Sequence, residues 1–178
     1  MKFAHLLILT SLAAALVTAS AHAAVAAVTE KDVLVIARLV SLLDGAPKGR
    51  VEIAVLRDGP ESIADADGFI AQIGSGKQVG DVTLVAVPVS TSELAATNAK
   101  VILIPAGVEA SYFDVIFSAA QKKQILTISN SDACLVAKRC AIAIKTDPAV
   151  NINMSQSAAH ATGVSFGSTM RMMVKEMP

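Results

Sequence analysis

Three short runs in this chain, residues 50–56 (RVEIAVL), 100–104 (KVILI) and 125–129 (ILTIS), read as strands, and KVILI is apolar almost without interruption. A strand with one wet face alternates apolar and polar residues. A run without alternation fits a strand covered on both faces, the usual situation in a parallel sheet. The segments between the runs carry helical spacing. Val33, Ile36, Val40 and Leu43 follow Thr29, a helix N-cap with acids in the first turn, and Gly45 and Pro47 end that helix. A weaker helix over 62–73 is interrupted by Gly68, and the turn at 74–77 leads to a strand over 82–87. A short helix over 90–96 has Ser90 or Ser92 as its cap. The helix over 109–123 places Phe113, Ile116, Phe117 and Ala120 on one side. Strand and helix thus alternate through four strands, which predicts an α/β domain with a central, mainly parallel sheet flanked by helices.

The last forty residues break that rhythm. Residues 140–145 (CAIAIK) and 149–154 (AVNINM) read as two strands joined at Thr146-Asp147-Pro148, an antiparallel hairpin. In its second strand Val150, Ile152 and Met154 alternate with Asn151 and Asn153. A helical turn or two follows over 155–162. The pattern Phe166, Met170, Met173, Val174 and Met177 then predicts a closing helix over 164–177. No internal repeat or linker divides the chain, and its length suits one core.

The N-terminus has an export pattern: Lys2, an apolar stretch over 6–17, and the small-x-small site Ala21-His22-Ala23. The apolar stretch is shorter than the roughly 20 residues that span a bilayer, so cleavage near Ala23 is expected, with the domain occupying 24–178. The expected destination is an oxidising, extracytoplasmic compartment. There Cys134 and Cys140, the two cysteines of the chain, read as a disulfide, with free thiols as the alternative. Lys138 and Arg139 lie between them, and their charges would lower a nearby thiol pKa, so a reversible redox pair is a further reading.

Chemistry beyond that is sparse. Without the leader the chain has a net charge of −1, no basic run, no tryptophan and one tyrosine. Nucleic acid is therefore not an expected partner, since phosphate binding needs clustered cations and single strands need stacking rings. His160 sits in an alanine-rich helical stretch with no nucleophile–base arrangement around it, and no metal-ligand spacing occurs. Asp65 and Asp67, two apart on a helix, do not face one another and read as a solvated face. The expectation is a protein without catalytic residues, metal or cofactor. The candidate contact residues are Arg57, which follows the first strand and could meet an anion at the strand ends, Lys138, Arg139, and Met172, which falls off the main face of the closing helix.

From residue 31 to 177 the chain resembles the YfiR-like family of small exported bacterial proteins. The resemblance is carried by VEIAVLRDGP, by KVILIP, and most specifically by the stretch from ILTISNSDACLVAKRCAIAIK through Ile152-Asn153 and Gly163-Val164 to the apolar C-terminus. The family's Trp-Pro pair after the first helix is replaced here by Leu43-Asp44-Gly45-Ala46-Pro47. The resemblance implies a non-enzymatic periplasmic regulator that represses a membrane-bound diguanylate cyclase by binding its periplasmic part, and so modulates cyclic-di-GMP signalling. An outer-membrane lipoprotein and a second copy of the chain are the other partners expected, and disulfide state is expected to matter. The reading of a different class is a small-molecule sensing domain at the strand ends near Arg57 and Pro105-Ala106-Gly107. The export reading is checked by intact mass spectrometry of the protein recovered from its cell envelope. The expected mass is that of a chain starting at Ala24, give or take a few residues.

Overall fold

The computed structural model describes residues 28–177; the export pattern at 1–23 lies outside them. Helix α1 (Glu30–Ser41) leads into β1 (Gly49–Leu56), α2 (Pro60–Ile73), the hairpin β2 (Lys77–Val79) and β3 (Val82–Val89), and a 3-10 turn (Thr91–Glu93). Then come β4 (Val101–Ile104), a second 3-10 turn (Ala110–Tyr112) running into α3 (Phe113–Lys123), β5 (Leu126–Ser129) and α4 (Asp132–Val136). The chain ends with β6 (Ile142–Lys145), β7 (Asn151–Ser155), α5 (Gln156–Ala161), α6 (Ser168–Met173) and β8 (Lys175–Met177). The strands form one sheet in the order β2-β3-β1-β4-β5-β6-β7-β8. Its five inner strands, from β3 to β6, run parallel. This is the mainly parallel α/β sheet that the alternation of runs predicts.

The apolar strands are buried on both faces. Val51, Ile53 and Val55 of β1, Val101 and Leu103 of β4, and Leu126 and Ile128 of β5 join one core with α1, α2, α5 and α6. Ala54 and Leu56, with Ile102 and Ile104, join a second core against α3, α4 and Leu94. The β1–α2–β3 crossover covers the first face, and β4–α3–β5 covers the second. Right-handed connections require this change of face, because the chain moves outward from β1 in one direction to β3 and in the other to β4. The capping residues of α1 also act at long range. Asp32 accepts hydrogen bonds from the backbone N–H and the hydroxyl of Thr29, both at 2.7 Å, and from the buried Thr146 hydroxyl at 2.7 Å. Lys31 donates to the Thr146 carbonyl at 2.6 Å, so α1 is tied to the loop between β6 and β7.

Four features depart from the expectations. The helix over residues 164–177 is only α6, after which Val174 turns extended and Lys175–Met177 pairs parallel with Asn153–Ser155. That pairing satisfies backbone groups along an edge of β7 that would otherwise stay open, and this outweighs helical periodicity. Lys77, read as the end of a turn, instead begins β2, and residues 77–79 pair antiparallel with β3. The CLVAKRC segment contains a helix, α4, started by the Ser131 side chain accepting from Ala133 N–H. Gly68 does not interrupt α2: a Cβ there would lie 3.0 Å from the Cβ of Val28, and glycine lets residue 28 pack closely on the helix. Ile102 is fully buried in β4 between two parallel strands. Ile102→Ala is expected to lower unfolding free energy by about 3 kcal/mol, measured by urea denaturation.

Candidate functional site

Sheets of this kind offer a crevice at the carboxyl ends of the strands where the order changes direction, here between β1 and β4. The chain fills that crevice with its own groups. Asp58, after β1, accepts from the Thr91 N–H at 2.8 Å, linking the ends of β1 and β3. Arg57 makes a two-pronged pair with Asp67 of α2, Nε to Oδ1 at 3.1 Å and the terminal nitrogen to Oδ2 at 3.2 Å. Its guanidinium therefore serves α2, and an anion would have to displace Asp67. After β4, the Ala106 N–H donates to Asn130 Oδ1 at 2.6 Å, and Asn130 Nδ2 donates to Asp65 at 2.8 Å. Asp65 is buried, against the reading of a solvated face. Gly107 has φ of +87°, and a Cβ there would lie 2.7 Å from the Glu61 carbonyl carbon and oxygen. The loop after β4 thus sits directly on α2, leaving no room for a side chain at that position.

The cysteine segment is equally well ordered. Cys134 and Cys140 are both buried, with free thiols. Burial, reinforced by Cys134, pushes the Cys140 thiol far above its ordinary range. This reverses the expectation that Lys138 and Arg139 lower a thiol pKa. Arg139 is turned away to α3: its Nε donates to Asp114 at 2.5 Å and its guanidinium lies 5.3 Å from the Phe117 ring centre. Lys138 is exposed and closes α4 with φ of +57°. Its N–H donates to the Leu135 carbonyl at 2.8 Å and the next N–H donates to the Cys134 carbonyl at 3.0 Å. This is a Schellman cap, with lysine where glycine is usual. At the other end of α4, Asp132 accepts from Lys145 and Asn153, and the Lys145 hydrogen bond holds its carboxyl below the usual aspartate range.

The expected contact residues therefore occupy three separate places: Arg57 at the end of β1, Lys138 and Arg139 at the cap of α4, and Met172 on α6, where it is 81 % exposed. His160 lies exposed in the last turn of α5. No group of three or more metal-ligating side chains occurs among the described residues, and no described helix is long and apolar enough to cross a membrane.

A site that the sequence reading missed lies on the α3 face. A cleft of about 430 Å³ opens between the segment after β3 and α3. Leu94, Ala95, Val115 and Ala119 give it apolar walls, and Lys122 and Lys123 stand at the C-terminal end of α3. Val115 is 52 % exposed although it lies on a helix whose neighbours Phe113 and Ile116 are buried. Val115 is one step off the stripe that the periodicity picks out, and a single exposed valine carries no signal until Leu94 is brought opposite it.

No protein-family model matches the chain, and no curated protein matches it. Similar solved structures include a conserved domain protein of Vibrio cholerae O1 biovar El Tor, with a TM-score of 0.55 and 10% identity, covering 84% of this chain and 60% of that one. Another is the ABC domain of Streptococcus pneumoniae in complex with L-Trp, with a TM-score of 0.53 and 14% identity, covering 78% of this chain and 58% of that one. The chain spans about three fifths of the length of each. At these identities the likeness is one of fold.

Two variants test the local geometry. Asn130→Ala strands the Ala106 N–H and the buried Asp65 carboxylate, and an expected loss of about 2–4 kcal/mol is read by chemical denaturation. Lys138→Gly relieves the left-handed backbone strain and is expected to gain about 1 kcal/mol, read as a higher melting temperature.

Proposed function

We propose that this chain is a non-enzymatic, exported regulator that binds the periplasmic part of a membrane-anchored signalling protein of the diguanylate cyclase type. The observation that carries the reading is the contrast between two surfaces. The strand-end crevice, the usual catalytic and cofactor position in such sheets, is bridged by Asp58–Thr91 and Asn130–Asp65 and occupied by the loop at Gly107. The α3 face instead leaves an apolar cleft open, beside the exposed Val115 and, across the Asp114–Arg139 pair, the 66 % exposed Val136 of α4. Open apolar surface next to a rigid helix is a feature of protein-binding faces. The resemblance of residues 31–177 to the YfiR-like family favours the same reading.

In this proposal the two adjacent cysteines are joined in the periplasm. A thiol–disulfide oxidant there takes two electrons and two protons from Cys134 and Cys140, and is itself reduced to its dithiol form. The bond closes α4 onto the start of the β6 segment and holds its face rigid. The second reading, a small-molecule sensor, is favoured by the volume of the α3 cleft, which lies in the range of ligand pockets. The Streptococcus pneumoniae domain of similar fold is described in complex with L-Trp.

The experiment is a pull-down from solubilised membranes with the mature protein, oxidised and reduced. Recovery of an inner-membrane signalling protein is expected, falling by about ten-fold or more for Val115→Glu. The melting temperature is expected to be unchanged, because Val115 is half exposed. Failure to recover any membrane protein in either state would sink the regulator and leave the sensor.

A further inference from the structure

Three clefts on this molecule share lining residues. The apolar cleft of about 430 Å³ between Leu94 and α3 ends at Lys122 and Lys123. Lys123 also lines a second cleft of about 250 Å³, with Thr97, Asn98 and Lys100. Lys100 in turn lines a third of about 270 Å³, with Gln124, Gly163 and Asp44. Through these shared lysines the clefts follow one another as a groove along α3, around its C-terminal end and to the amino ends of β4 and β5. Its apolar end and its middle differ in chemistry. The first part is walled by Leu94, Ala95, Val115 and Ala119. The middle carries Lys100, Lys122 and Lys123, all exposed.

The charges along the groove are not balanced from within. Asp114, at the apolar end, is engaged by Arg139. Asp44 lies at the far end, beyond Lys100. Lys123 donates to the Thr97 carbonyl at 2.6 Å, a neutral acceptor. Lys100, Lys122 and Lys123 form no salt bridge among the described residues. The C-terminal end of α3 adds the partial negative charge of its free carbonyls, which favours holding cations there. What this arrangement lacks is an anion, spread over a length that a single small molecule in the first cleft does not cover.

We propose that the groove takes an extended acidic polypeptide segment of the partner, whose apolar side chains enter beside Val115 and whose carboxylates lie along Lys122, Lys123 and Lys100. This inference rests on the regulator reading above and names the surface and the partner chemistry. The apolar cleft supplies most of the affinity, because its walls leave water on binding. The lysines set direction and selectivity, since rim charges act mainly on encounter and on rejecting wrong partners. A segment with its carboxylates placed ahead of Val115 would meet Asp114 instead.

The test uses the full chain, expressed in its source cells with a photo-crosslinking amino acid in place of Ser118, a residue of the apolar cleft. Adducts are isolated from the envelope and the joined peptide is sequenced by mass spectrometry. The expected peptide has apolar residues followed by a cluster of Asp and Glu. Adduct yield is expected to fall by about ten-fold in the double variant Lys100→Glu, Lys122→Glu and to weaken with added salt. Both side chains are exposed, so circular dichroism and melting should match the parent. Adducts on a segment without acids, or a yield indifferent to the charge reversal, overturn the groove while leaving the regulator in place. The same holds if the membrane protein is recovered by pull-down but Ser118 gives no adduct. If no membrane protein is recovered by either method, the regulator reading fails and the groove assignment falls with it.

Discussion

Everything in this fold depends on β1 and β4 being dry on both faces. Val55 and Leu56, adjacent in β1, point into different cores, and so do Ile102 and Leu103 in β4. A strand of that kind cannot sit at the surface of a one-layer sheet. Its side chains are satisfied only if helices lie above and below, and the handedness of the connections then decides which helix goes where. The direction change between β1 and β4 follows, and with it the crevice at their carboxyl ends. In this molecule that crevice serves cohesion. Asp58, Asp65 and Asn130, residue types that elsewhere bind ligands, are spent on backbone amides and on each other.

The consequence is a division between a closed end and an open side. Where the strand ends are bridged, groups are fixed and a ligand would have to break Arg57 from Asp67 or lift the loop at Gly107 from Glu61. Where α3 meets the segment after β3, the covering layer is thin, because only a 3-10 turn crosses between β3 and β4 on that face. Leu94 reaches the second core, but the turn is too short to cover the outer flank of α3. The apolar cleft is thus a result of connection length. α4 is similarly short, a five-residue helix closed by the Lys138 cap and anchored in the second core by the buried Cys134 and Leu135.

The resemblance to the YfiR-like family and the likeness to the two solved structures bear on different levels. The solved structures agree in the arrangement of sheet and helices. The resemblance bears on the regulator role and on the cysteine segment, which remain proposals. Both readings now turn on the surfaces around α3 and α4, away from the strand-end region where the sequence places a small-molecule sensor.

The sequence by itself determined the class of fold, because local patterns suffice for it. The apolar runs at 50–56, 100–104 and 125–129, the Thr29 cap and the alternation after residue 149 each report on a few consecutive residues and their solvent exposure. It also located the hairpin at Thr146 and the cysteine pair. Only the tertiary structure decided that residues 175–177 leave helical periodicity to pair with β7, since the gain comes from backbone groups distant in sequence. Only it brought Asp65 and Asn130 together and turned Arg139 from the cysteines to Asp114 and Phe117. Local pattern records how much of a residue is buried. Which partner it meets there depends on how crossovers stack elements dozens of residues apart, and the cleft beside Val115 exists only after they have done so.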